Sequence, residues 1–83
     1  MNTLIGLNQL RPGERGTVAQ LHTVGSLHRR FLDIGLTPDT VVQCVGHSPG
    51  GDPSAYLIRG AVIAIRGRDS RSVRIRRCQE ETV

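Results

Sequence analysis

Eighty-three residues make one domain, and a chain of this size buries only roughly 60 to 65 per cent of the surface its unfolded form exposes, which leaves no room for a deep catalytic cleft. Hydrophobic residues are 37% of the chain, with one Phe and one Tyr, so the core is expected to be aliphatic. All eleven basic residues are arginine, and against seven acidic ones they give a net charge of +4, a balance that suits nucleic acid, an anionic membrane surface or an acidic protein face.

No apolar run approaches the roughly 20 residues of a membrane span, and the N-terminus lacks the basic start and apolar middle of a signal peptide. Direct membrane insertion is not expected, and the expected compartment is the cytoplasm. Cys44 and Cys78, without a second pair, form neither a zinc ligand set nor a secreted disulfide framework, and are expected as reduced thiols.

Along the chain, Leu4, Leu7 and Leu10 precede Arg11-Pro12-Gly13, which predicts an extended or single-turn arm tucking leucines under the domain, then a type II turn at Pro12-Gly13. Gly16 closes the approach to a first strand over Thr17–His22. Val18 and Leu21 both want the interior but are three apart, so a bulge is expected near Ala19 or Gln20.

The stretch from Gly25 to Thr40 has the only complete helix signature. Ser26 is the expected cap, Leu27, Phe31 and Ile34 recur at helical spacing, and Gly35 supplies the left-handed residue that ends the helix. Leu36 can then fold back on Phe31. Thr37-Pro38-Asp39-Thr40 reads as a turn, because Pro38 presets the first central dihedral and Asp39 tolerates the second.

Val41–Val45 is the next strand, with Val42 and Cys44 inward and Val41 and Val45 outward. His47-Ser-Pro-Gly-Gly-Asp-Pro53 is a loop. Ala55–Arg66 is a tight hairpin in which Gly60 takes the positive angle of a short turn with a bulge. Pairing Ile58 with Ala61 places Tyr56, Ile58, Ala61, Ile63 and Ile65 on one face and Leu57, Val62 and Ala64 on the other. A polar turn over 66–72 leads to a last strand, Val73–Arg76, with Val73 and Ile75 inward. The tail after Arg77 is expected to fray. Five short strands and one helix inserted after the first strand predict a mainly β fold, a small, partly open barrel spanning 1–83 as a single domain.

The ordered set Leu7-x-x-Leu10-x-Pro12-Gly13-x-x-Gly16-Thr17-Val18, Arg30-Phe-Leu-Asp-Ile-Gly-Leu-Thr-Pro38, Pro49-Gly-Gly-Asp-Pro53 and Arg59-Gly-Ala-Val-Ile-Ala-Ile-Arg66 closely resembles the FeoA family over about residues 4 to 77. The resemblance implies an SH3-like barrel, a cytoplasmic accessory role in bacterial ferrous iron uptake, and a FeoB-type membrane GTPase and iron permease as partner, which would recruit the chain to the inner face of the membrane. Related domains sit at the C-termini of diphtheria-toxin-repressor-type metalloregulators. The motif positions Pro12, Gly13, Gly16, Gly35, Pro38 and Gly60 are structural. Two departures stand out. Asp39 occupies the place after the proline where the family usually carries glycine, and the 66–77 segment is arginine-rich.

No nucleophile elbow, phosphate-cradling glycine loop or carboxylate pair is placed in a recognisable setting, so the chain is not expected to be an enzyme. His22, His28 and His47 match no ligand spacing. The expectation is no required cofactor, with His22 and His47 the opportunistic ligands of a weakly held iron or zinc ion. Arg66, Arg68, Arg71, Arg74, Arg76 and Arg77 could bind phosphates, which keeps a nucleic-acid-binding barrel as the alternative function. The other reading of these arginines is a charged edge strand protected from aggregation, and the absence of stacking aromatics speaks against nucleic acid. Outward Val41, Leu57 and Val62 predict an apolar patch. A protein partner, a second copy of the chain, or cover by the leucine arm or the helix would each account for it.

Overall fold

The computed structural model describes residues 3–78. Six antiparallel strands, β1 (Leu4–Gly6), β2 (Arg15–Leu21), β3 (Val41–His47), β4 (Ser54–Ile58), β5 (Ala61–Ile65) and β6 (Val73–Arg77), form one sheet in the order β1-β6-β2-β3-β4-β5. A nine-residue helix, α1 (Gly25–Asp33), follows β2, and a single helical turn, α2 (Gly67–Ser70), replaces the expected polar turn before β6. The two edges of the sheet, β1 and β5, do not pair with each other, so the barrel is open on that side.

The leucine arm supplies the sixth strand. Leu4–Gly6 pairs with Arg74–Arg76 of β6, and the chain then turns through one 3-10 turn, Leu7–Gln9, which drops Leu7 and Leu10 into the core. Because β1 takes the outer position, β6 lies between β1 and β2. The arginine-rich strand is thus interior to the sheet and not the charged edge that its composition suggests.

Glu14 N–H donates to the Arg11 carbonyl at 2.9 Å and Gly13 has φ +89°, which is the type II turn expected at Pro12-Gly13. Gly16 serves close approach. A Cβ there would stand 2.5 Å from Ile75 Cδ1 and 3.1 Å from the Arg76 carbonyl oxygen, so a side chain at this point would push β2 off β6. The expected bulge in β2 is present, as a register shift between Val18 and Gln20 against β6.

α1 begins two residues earlier than its sequence signature implies. Val24, with extended dihedrals, occupies the cap position, and Ser26 falls inside the first turn with no cap hydrogen bond. A cap residue needs β-region backbone, and only Val24 has it. The C-terminal end is as expected. Gly35 has φ +104°, its N–H donates to the Leu32 carbonyl at 3.0 Å, and Leu36 N–H donates to the Phe31 carbonyl at 2.9 Å, the paired bonds of a Schellman motif. Leu36 and Phe31 are both buried in the core.

The Thr37–Thr40 turn closes with Thr40 N–H on the Thr37 carbonyl at 3.1 Å, and Asp39 takes φ +73°. That angle is one a glycine adopts freely, and aspartate is among the few side chains that tolerate it. At the β4–β5 hairpin Arg59 and Gly60 both lie at positive φ, +49° and +84°, between the paired Ile58 and Ala61. This is a two-residue type I′ turn with no bulge, contrary to expectation, because the second left-handed residue removes the need for an extra one.

The core gathers Val18, Phe31, Val42, Tyr56, Ile58 and Ile75 with the arm leucines. Each such side chain contributes about 1.5–3 kcal/mol through burial. Cys44 is buried and unbridged among them. Tyr56 is the largest of the fully buried side chains, and its hydroxyl donates to the Leu7 carbonyl at 3.4 Å. The residues after Cys78, where fraying of the tail is expected, lie outside the described part of the chain.

Candidate functional site

Alternation along β3 sends Val42 and Cys44 into the core and leaves Val41, Gln43 and Val45 outside. The same alternation in β4 buries Tyr56 and Ile58 and turns Leu57 outward. Register then builds a row. Arg15 of β2 stands opposite Gln43, Gln43 opposite Leu57, and Leu57 opposite Val62 of β5. Val41 lies one step away, opposite Thr17.

Val41 is 51% exposed and Val62 is 62% exposed, while Leu57 is half-buried between its neighbours. The leucine arm does not cover this face, since Leu7 and Leu10 are in the core. Val45, also 51% exposed, lies on the same side at the point where the β3–β4 register shifts. The sequence-derived patch omits it, although strand alternation identifies it as outward.

A shallow cavity of about 330 Å³ opens on this face, bounded by Arg15, Val41, Gln43, Leu57, Arg59 and Gly60. Its lining mixes aliphatic Val41 and Leu57 with polar Arg15, Gln43 and Arg59, a composition compatible with a protein contact. Arg59 closes one end. Its Nη2 donates to Thr37 Oγ1 at 3.2 Å and to Thr40 Oγ1 at 3.4 Å, so the hairpin tip is clasped to the turn that follows α1.

The histidines are dispersed. His22 Nε2 is 2.8 Å from Gln20 Oε1, His28 Nδ1 is 2.9 Å from Thr23 Oγ1, and His47 Nδ1 is 2.5 Å from Ser54 Oγ. His22 follows the C-terminal end of β2 and His47 is the last residue of β3. Among the described residues no three His, Cys, Asp or Glu side chains converge as metal ligands. Cys78 Sγ is 3.6 Å from Thr17 Oγ1, and burial pushes the Cys44 thiol pKa up.

The arginines of β6 are occupied within the molecule. Arg74 Nη2 donates to the Leu4 carbonyl at 3.4 Å, Arg76 lies 4.0 Å from Asp39, and Arg77 lies 3.2 Å from Glu14 and 3.1 Å from the Gln9 carbonyl. Arg66, Arg68 and Arg71 are exposed and precede that strand in the chain.

The FeoA domain model matches residues 5–77. This chain belongs to the FeoA family. The FeoA-like protein from Clostridium acetobutylicum shares 24% identity over 100% of this chain and 96% of its own, with a TM-score of 0.87. Iron(II) transport protein A from Clostridium thermocellum shares 26% identity over 88% of this chain and 45% of its own, with a TM-score of 0.84. FeoA from Stenotrophomonas maltophilia, solved in complex with zinc and described as a prokaryotic SH3 domain protein, shares 23% identity over 86% of this chain and 88% of its own, with a TM-score of 0.72. Among curated proteins none matches. The FeoA fold is SH3-like, the family is associated with ferrous iron transport, and it is not a known enzyme family.

Proposed function

We propose that this FeoA chain is an accessory protein of bacterial ferrous iron uptake that docks, through the outer face of β3, β4 and β5, on the cytoplasmic part of a FeoB-type permease. The observation that carries this reading is the uncovered aliphatic row of Val41, Leu57 and Val62 in a family tied to iron transport. Contiguous exposed apolar patches on a small domain often mark protein contacts. The working compartment is then the cytoplasm, with recruitment to the inner face of the membrane by the permease. No helix among the described residues is long and apolar enough to cross a membrane.

Iron is cargo in this scheme and the chain needs no ion of its own. Zinc or ferrous iron is expected to bind weakly, through His22 or His47 singly. Calorimetry that instead found a stoichiometric, sub-micromolar site, lost when both histidines are changed, would contradict this. The docking itself is tested by capture of the purified chain on membranes with and without the permease. Permease-dependent capture supports it, and equal capture on both membranes removes it. RNA binding that weakens steeply with salt, in the absence of any permease binding, would restore the nucleic-acid reading.

A further inference from the structure

β5 is the long open edge of the sheet. Among the described residues it pairs only with β4, and its sequence, Ala61-Val-Ile-Ala-Ile65, contains neither charge nor proline. Natural sheets commonly guard such an edge with charges, bulges or short length. The other edge, β1, is three residues long and receives Arg74 on its Leu4 carbonyl.

In a two-residue hairpin the closing pair, here Ile58 and Ala61, exchanges hydrogen bonds, and alternate pairs do so after it. Val62 and Ala64 occupy the intervening positions opposite Leu57 and Ala55. Their N–H and C=O groups therefore point to the open edge. No described backbone hydrogen bond outside the strand ladders involves residues 61–65.

Beside this edge runs a groove of about 270 Å³ between β5 and α1, lined on one wall by residues 63–66 and on the other by Arg30, Phe31 and Ile34. Arg30, Arg66 and Arg68 line it together, all exposed, and none takes part in a described hydrogen bond or ion pair through its side chain. Asp69 also borders the groove, so its described lining holds three cations and one carboxylate, while the nearby Asp52 carboxylate accepts from the Gly67 N–H at 2.7 Å.

We propose that the β5 edge accepts an extended acidic segment of a partner protein as a seventh strand, its backbone bonded to Val62 and Ala64 and its carboxylates paired with Arg30, Arg66 and Arg68. Main-chain bonds supply affinity in this mode and side-chain contacts supply specificity. Arginine forks are suited to carboxylates. A second copy of this chain is the poorer occupant. Antiparallel pairing of two β5 edges about Ile63 would set Arg66 of each copy near Arg59 of the other, and like charges facing across strands are unfavourable. This inference is independent of docking on a permease.

The test uses the full chain, 15N-labelled, with an end-capped eight-residue peptide of alternating valine and glutamate and a lysine-for-glutamate control. The glutamate peptide is expected to shift the amides of Val62 and Ala64 and slow their hydrogen exchange at least tenfold. The Arg66→Glu, Arg68→Glu variant is expected to bind it at least tenfold more weakly. Ala64→Pro removes an edge donor outside the β4–β5 ladder and should abolish binding. If that variant does not fold, the arginine variant and the exchange measurement decide the matter. Equal binding of the lysine peptide, no binding of the glutamate peptide, or shifts confined to Val41 and Val45 would overturn the proposal. So would inorganic phosphate reproducing the shifts without slowing exchange, or concentration-dependent protection of β5 in the absence of peptide.

Discussion

Gly35 carries two constraints at once. Its φ of +104° lies where a β-branched residue is strained, and an added Cβ would stand 2.6 Å from Arg59 Cδ. Gly35→Val is therefore expected to lower stability by about 1–3 kcal/mol, read as a drop in midpoint in thermal or urea unfolding; an unchanged midpoint would contradict the cap assignment. Cys44 offers a second test. It is wholly buried, and burial raises its thiol pKa above the ordinary value. The thiol thus ionises in the unfolded chain before it does in the folded one, so its contribution is complete below the ordinary thiol pKa of about 8.5 and is lost as pH rises beyond it. Tyr56, also raised chiefly by burial, adds to the same alkaline loss at higher pH. Slow labelling of Cys44 by a thiol reagent at neutral pH and a stability that falls on the alkaline side, less steeply in Cys44→Ala, are the expected results. Rapid labelling of Cys44 in the folded protein would contradict them.

The β4–β5 hairpin depends on a residue that its turn type disfavours. Arg59 sits at φ +49° and reaches across to Thr37 and Thr40, so backbone strain is set against a side-chain clasp. Arg59→Ala keeps the strain and loses the clasp, and is expected to cost about 1 kcal/mol. Arg59→Gly loses the clasp and the strain together, and is expected to be more stable than the alanine variant by about 0.5–1 kcal/mol. Denaturant titration gives the order, and a glycine variant less stable than alanine would contradict this account of the turn. The pairing of Ile58 with Ala61, the β2 bulge and the Gly35 cap were legible in sequence because each rests on local periodicity or a single special dihedral. The absence of a bulge at the hairpin was not, since nothing local shows that an arginine will accept positive φ. The interior place of β6 was equally hidden: it follows from the pairing of Leu4–Gly6 with residues some 70 positions away, and arginine-rich alternation looks the same on an edge strand as on an inner one. The apolar face could be read from alternation in β3–β5, whereas the groove beside β5 arises only when α1 is placed across from it.

At the scale of the whole molecule, two sides of the β3–β5 region differ in chemistry: an aliphatic outer face bearing Val41, Leu57 and Val62, and a groove bordered by Arg30, Arg66 and Arg68. In the accessory role proposed above, the chain would act through such surfaces. Burial of Leu57 and Val62 at an interface contributes roughly 2–4 kcal/mol before the costs of association, enough to change affinity by well over tenfold when removed. Leu57 is half-buried, and its cross-strand neighbours Gln43 and Val62 leave room toward solvent, so an aspartate at that position should be solvated in the free domain. The most direct test is the affinity of Leu57→Asp and of the unaltered chain for the purified cytoplasmic part of the permease, measured by calorimetry beside a thermal melt of each. The account predicts a folded variant, with a midpoint close to that of the parent, and an affinity lower by at least tenfold. A folded variant that binds as tightly as the parent would contradict docking through this face, and a variant that unfolds would show that Leu57 belongs to the core.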